Sequence, residues 1–189
     1  MKSLIDSFDA NRDDIERLVS QSLKGSDDGE LFMEYREAEA LVFDNGRLKT
    51  GSFNQDQGFG LRAVAGEAIG YAHAGDLSLA ALKRASDAVS ATLSGHSGSY
   101  AAAPAGTNRH LYTDENPIGS PTFDAKVQLL QKIDAYLRAK DPKVRQVSVS
   151  IAGSWQQVEI LRADGHFVRD IRPMVRLSVS VVAGHGDRP

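Results

Sequence analysis

The chain has 189 residues, 41% hydrophobic and 25% charged, enough for one sizeable core or two small ones and too ordinary a composition for a disordered segment. A formal charge of -3 creates no field that would gather nucleic acid, whose phosphates call for clustered Lys and Arg. Cysteine is absent, which excludes disulfides and thiolate ligands within these residues; the acidic N-terminus lacks a signal-peptide core, and no run approaches the ~18 apolar residues of a membrane helix. The expectation is a cytoplasmic, soluble chain with neither a nucleic-acid nor a membrane partner.

Ile15, Leu18, Val19, Ser22 and Leu23 recur at helical spacing, so residues 11 to 24 are predicted to form a short amphipathic helix closed by Gly25. From Glu30 the period falls to two. A long strand runs to Asn45-Gly46, a dipeptide suited to a type I′ hairpin, and a return strand follows.

The stretch GSFNQDQGFGLRAVAGEAIGYAHAG, residues 51 to 75, extends this meander. Glycine weakens a strand by roughly 0.5 to 1 kcal/mol relative to alanine, so its frequency here needs a reason. With a turn at Gly66-Glu67, Phe59, Leu61, Ala63 and Ala65 are expected on one face together with Ile69, Tyr71 and His73. The other face would be nearly bare, carrying Gly58, Gly60, Ala68, Gly70, Ala72 and Ala74, interrupted by Arg62 and Val64. A helix capped at Asp76 or Ser78, with Leu82, Ala85, Val89 and Leu93 on one stripe and Gly95 past its end, could lie on that bare side. Two readings stand side by side. The glycines seat this helix, or part of the small-residue surface lines a passage for an extended peptide, which makes Gly58, Gly60, Arg62 and Gly70 candidate substrate-binding residues.

Residues 96 to 121 are rich in Gly, Ala, Pro and Ser without sustained period. They suggest a boundary, with a first domain over 1–105, a linker over 106–121 and a second unit over 122–189. Ser120-Pro121 is expected to open a helix whose stripe is Phe123, Val127, Leu130, Ile133 and Leu137, stopped by Asp141-Pro142. Four alternating segments follow, KVRQVSVSIAG, SWQQVEILRA, HFVRDIRP and MVRLSVSVVAG, with a turn at Asp164-Gly165. The last has no element after it to cover its edge, so the second unit reads as truncated and able to self-associate through that edge.

Catalytic patterns are not found. His73, His96, His110, His166 and His185 are far apart in sequence, none in a predicted helix, so the one-turn spacing of helical zinc ligands is missing. GFGLRA at 58 to 63 matches a relaxed dinucleotide pattern, but its glycines fall within a strand instead of on a turn that opens a helix. GHSGS at 95 to 99 lacks the final glycine and the leading strand of a nucleophile elbow. No catalytic or metal-binding residue is assigned. Arg172 and Arg176, flanking PMV, are candidates for holding a peptide carboxylate, or for structural ion pairs.

DNGRLKTGSFNQDQGFGLRAVAGEAIGYAHAG, HLYTDENP and IRPMVRLSVSV, in this order through roughly residues 30 to 182, resemble the TldD/PmbA family, once labelled modulators of DNA gyrase. The RPMVRLSVSV segment resembles the TldD branch more than the PmbA (TldE) branch. The resemblance implies an N-terminal fragment of a zinc metallopeptidase that processes or degrades unfolded peptides, working with a TldE/PmbA-type partner subunit around an enclosed chamber. It implies a His-Glu-x-x-x-His helix and a further cysteine in a later domain. This sequence contains neither, so no catalytic residue is carried over and any zinc belongs to the parent protein.

The reading is therefore an α+β chain of two consecutive units, each an antiparallel meander packed with one or two helices, acting as chamber wall, substrate passage and subunit contact. The alternative is a free-standing, non-enzymatic peptide-binding or adaptor module, which the same surfaces permit.

Overall fold

The computed structural model describes residues 2–102 and 111–184; His110, His185 and the junction expected near residue 105 lie outside them. The α+β expectation holds: among the described residues, three α-helices accompany one five-stranded antiparallel sheet of order β3-β2-β1-β4-β5. The strands are β1 (Asp28–Asp44), β2 (Arg47–Ala65), β3 (Ala68–Ala74), β4 (Val144–Arg162) and β5 (Phe167–Ala183), and the helices α1 (Arg12–Ser22), α2 (Leu79–Thr92) and α3 (Phe123–Lys140). The Asn45-Gly46 turn has positive φ at both positions, 48° and 76°, as a type I′ hairpin requires.

The four segments expected after α3 are two continuous strands. Gly153 lies inside β4, where a side chain would meet nothing closer than 3.5 Å. Pro173 lies inside β5, one of the two edge strands, where one missing N–H need not break a ladder.

Contacts gather into two compact units, each discontinuous in sequence, because the long strands pass through both. The first holds residues 1–36, 56–111 and 156–171, and the second 37–55, 112–155 and 172–189. The sequence-based division was into consecutive blocks.

In the first unit, Asn11 and Ser78 cap α1 and α2 by accepting from the Asp14 and Ala81 N–H groups, each cap contributing about 1 kcal/mol. The inner stripes of these helices, Ile15 and Val19 with Leu82, Ala85 and Val89, close over Leu31 and Met33 of β1 and Phe59, Leu61 and Ala63 of β2. A 3-10 turn at Ile5–Ser7 adds Leu4, Ile5 and Phe8 to the same core. The fully buried carboxylate of Glu159 ties it down, accepting from Ser3 Oγ (2.7 Å), the Ile5 N–H (3.1 Å) and Gln157 Nε2 (2.9 Å).

In the second unit, Leu130 of α3 packs with Leu41, Phe43, Val147 and Val149, flanked by Val127, Ile133 and Leu137. Phe123, expected in this stripe, is instead half exposed: it sits in the first turn of α3 beside Gly51, where β2 is exposed. Lys126 is buried in its place, donating to Glu39 Oε1 (2.6 Å) and the Ile118 carbonyl (2.7 Å). That satisfied buried cation gave no periodic signal in the sequence.

Candidate functional site

The face assignment across the Gly66-Glu67 turn is corrected by the register. A two-residue loop pairs Ala65 with Ala68, so odd-numbered residues of β2 share a face with even-numbered residues of β3: Phe59 with Ala74, Leu61 with Ala72, Ala63 with Gly70. The expectation had matched odd with odd, one step out. Consequently no face of this hairpin is bare. Phe59, Leu61 and Ala63 face α2 alongside the small residues of β3, while Gly60, Arg62 and Val64 share the opposite face with His73, Tyr71 and Ile69.

The glycines therefore divide between two tasks. On the helix side, a Cβ at Gly70 would stand 3.0 Å from the Val89 carbonyl oxygen and 3.2 Å from its Cα, so this glycine seats α2. On the opposite side, a Cβ at Gly60 would stand 2.9 Å from the Tyr71 hydroxyl and 3.0 Å from its Cε2, and one at Gly58 would stand 2.7 Å from the Ala74 carbonyl oxygen. The Tyr71 ring lies across Gly60, covering backbone that no side chain of β2 covers, the device by which aromatics compensate glycine in sheets. Its neighbour His73 stacks on it, with centroids 5.7 Å apart and planes 27° apart. Sequence reasoning missed both aromatics as partners of the glycines, although the length of the Gly66-Glu67 loop contained the signal.

Between these rings and β1 lies an open groove of about 380 Å³, floored by Gly58 and Gly60 and walled by Phe32, Glu34, Asp56, Tyr71 and His73. Its ionisable groups are the carboxylates of Glu34 and Asp56, the His73 imidazole and the Tyr71 phenol. Arg62, on the same face, points away to β1: its Nε donates to Glu30 Oε1 (2.8 Å), and one terminal nitrogen donates to Glu30 Oε2 (2.9 Å) and Asp28 Oδ2 (2.6 Å). Its hydrogen bond to Glu30, joined by that to Asp28 and outweighing burial, raises its already high pKa. Arg162 donates to the other Asp28 oxygen at 3.0 Å and lies 5.3 Å from the Tyr100 ring centre. Arg62 is thus a member of an ion-pair network that joins β1, β2 and β4.

Of the six candidate residues, Gly58, Gly60 and Arg62 share one face of the first unit, Gly70 lies on its helix face, and Arg172 and Arg176 belong to β5 in the second unit. Both of those arginines are exposed. Among the described residues no group of three or more His, Cys, Asp or Glu side chains could hold a metal ion. No helix among them is long and apolar enough to cross a membrane.

Residues 29–92 match the PmbA/TldA metallopeptidase domain 1 and residues 116–189 the PmbA/TldA metallopeptidase central domain. The chain belongs to the PmbA/TldD family. It is 36% identical to a metalloprotease TldD homolog of Haemophilus influenzae over 85% of this chain and 34% of that protein. A metalloprotease TldD homolog of Buchnera aphidicola is 32% identical over 99% of this chain and 39% of its own length. The chain thus spans between a third and two fifths of these relatives. The crystal structure of TldE from Thermococcus kodakarensis shares the fold, with a TM-score of 0.74 at 17% identity over 92% of this chain and 40% of that one.

Proposed function

We propose that these residues form the non-catalytic N-terminal region of a TldD-type zinc metallopeptidase that processes or degrades unfolded peptides in the cytoplasm. They supply chamber wall, substrate passage and contacts to a TldE/PmbA-type partner subunit. The relatives named metalloprotease TldD support the parent activity. The observation that carries the passage role is the open groove over Gly58 and Gly60, at the strand next to the sheet edge. A sheet edge binds extended chain through main-chain hydrogen bonds, which suits substrates of varied sequence.

In this reading zinc is held by residues other than these 189 and supplies an activated water for peptide hydrolysis. The chain's own residues bind and orient. Gly60→Val in the full-length protein, assembled with its partner, should push Tyr71 into the groove and lower peptide turnover several-fold with zinc content unchanged. Unchanged turnover in a folded Gly60→Val protein rejects the passage role. A reading frame that stops at Pro189 would favour the free-standing binding module, and one that continues into His-Glu-x-x-x-His the peptidase.

A further inference from the structure

We infer that the part of β2 lying beyond the end of β3 is a self-pairing edge, to which a second copy of this chain adds its own β2, antiparallel, about a two-fold axis at Ser52. The surface belongs to the second unit and is independent of the peptide passage in the first.

The edge is open. β3 pairs only with residues 59–65 of β2, while residues 47–57 are exposed, so among the described residues no strand lies along that stretch. Its backbone is also aimed outward. Ala65 and Ala68 close a two-residue loop as a hydrogen-bonded pair, so odd-numbered residues of β2 direct their N–H and C=O toward the β3 side. The Val64 carbonyl, one step away, accepts instead from the Asp27 N–H (2.6 Å) on the β1 side. Continued along the strand, this alternation turns the backbone groups of Lys49, Gly51, Phe53 and Gln55 to the empty side.

Side chains select the register. Gly51 lies on the face of α3, because a Cβ there would stand 3.2 Å from Leu41 Cδ2 and 3.8 Å from Phe123 Cε2. Phe53, two residues on, shares that face, and Phe53 and Phe123 are 53% and 50% exposed. A two-fold at Ser52 sets Phe53 of each copy opposite Gly51 of the other. Each ring then covers a bare glycine beside Phe123, as Tyr71 covers Gly60 within the chain. The same register sets Lys49 opposite Gln55, whose amide donates to Glu37 Oε1 (3.0 Å), and so brings a cation of one copy to a carboxylate of the other. A two-fold at Gly51 or at Phe53 would set each glycine against glycine or against Gln55 and leave it uncovered.

The chain has no cysteine, so a single introduced thiol reads the register. Across the two-fold, Ser52 meets its own copy in a non-hydrogen-bonded pair, where Cα atoms stand about 4.5 Å apart, within disulfide reach. Thr50, also exposed and on the same face as Ser52, would lie roughly 14 Å from its copy, out of reach. With oxidised glutathione as the oxidant, Ser52→Cys in the 189-residue chain should form a covalent dimer on non-reducing gels, and Thr50→Cys should not. Phe53→Lys, at an exposed position, should leave circular dichroism unchanged and cut the Ser52→Cys cross-link about ten-fold. No cross-link at Ser52→Cys, equal cross-linking at both positions, or a cross-link that survives Phe53→Lys would each overturn the inference. Association through β5 alone, which brings no residue 52 thiols together, would overturn it too. A cross-link that forms only with a TldE/PmbA-type subunit carrying its own thiol would overturn self-pairing and assign the edge to that subunit.

Discussion

The Tyr71 hydroxyl lies 2.9 Å from where a Cβ on Gly60 would stand, and its ring roofs that glycine from the neighbouring strand. Gly70, on the same hairpin but the opposite face, meets the backbone of Val89 instead. The two glycines should respond differently to the same change. Gly60→Ala meets the far end of a side chain that can swing aside, so its cost should stay below about 1 kcal/mol; Gly70→Ala meets helix backbone and should cost about 1 to 3 kcal/mol. Urea unfolding of both variants checks this, and equal costs would contradict the assignment of faces.

Asp28 provides a pH signature. Burial, the largest single influence, pushes its pKa up, but the hydrogen bond from Arg62, the charges of Arg62 and Arg162 and the Gly29 N–H together hold it below the ordinary carboxylate range. A folded-state pKa below the unfolded value of about 3.9 adds stability that is present above that pH and is lost as pH falls through the folded value. Asp28→Asn should therefore be less stable than the parent at neutral pH, and the gap should close as the pH falls below about 4. A gap that is constant with pH would show that the carboxylate charge is not what matters.

Lys126 and Glu39 form a pair whose side chains are only 5% and 17% exposed. Removing one partner of a buried pair leaves the other charge unmatched, at a cost of about 3 to 5 kcal/mol. Lys126→Met should approach that figure, and Lys126→Met with Glu39→Gln should cost less than the sum of the single changes. A double-mutant cycle in denaturant measures the difference; additivity would mean that the pair does not interact.

On β5, an edge strand of the sheet, Val175, Leu177, Val179 and Val181 recur with period two and are 42 to 57% exposed. Such an edge invites pairing. The 189-residue chain should self-associate at high concentration in analytical ultracentrifugation, and Val179→Lys should shift it toward monomer. A strictly monomeric parent chain would contradict the prediction.

What was legible in the sequence was local. The helix capped by Ser78, the α1 helix after Asn11 and the Asn45-Gly46 turn follow from side-chain chemistry acting over a few residues. Strand pairing is not local in that sense, and a one-residue error in register moved Tyr71 and His73 to the wrong face and concealed the groove. Lys126 and Glu159 were also invisible, because a charged residue in a strand or helix reads as solvent-facing until its buried partners are known. Arg62 interrupted the small face as a lone cation in the sequence; Asp28 and Glu30, about thirty residues earlier, explain it.

The central claim is that these residues house a hydrolytic centre without containing it. Zinc content and peptide cleavage, measured in parallel on the 189-residue chain and on the full-length protein with its partner, test this most directly. The account predicts neither zinc nor cleavage for the chain alone and both for the assembled protein. Stoichiometric zinc and peptide hydrolysis by the chain alone would contradict it.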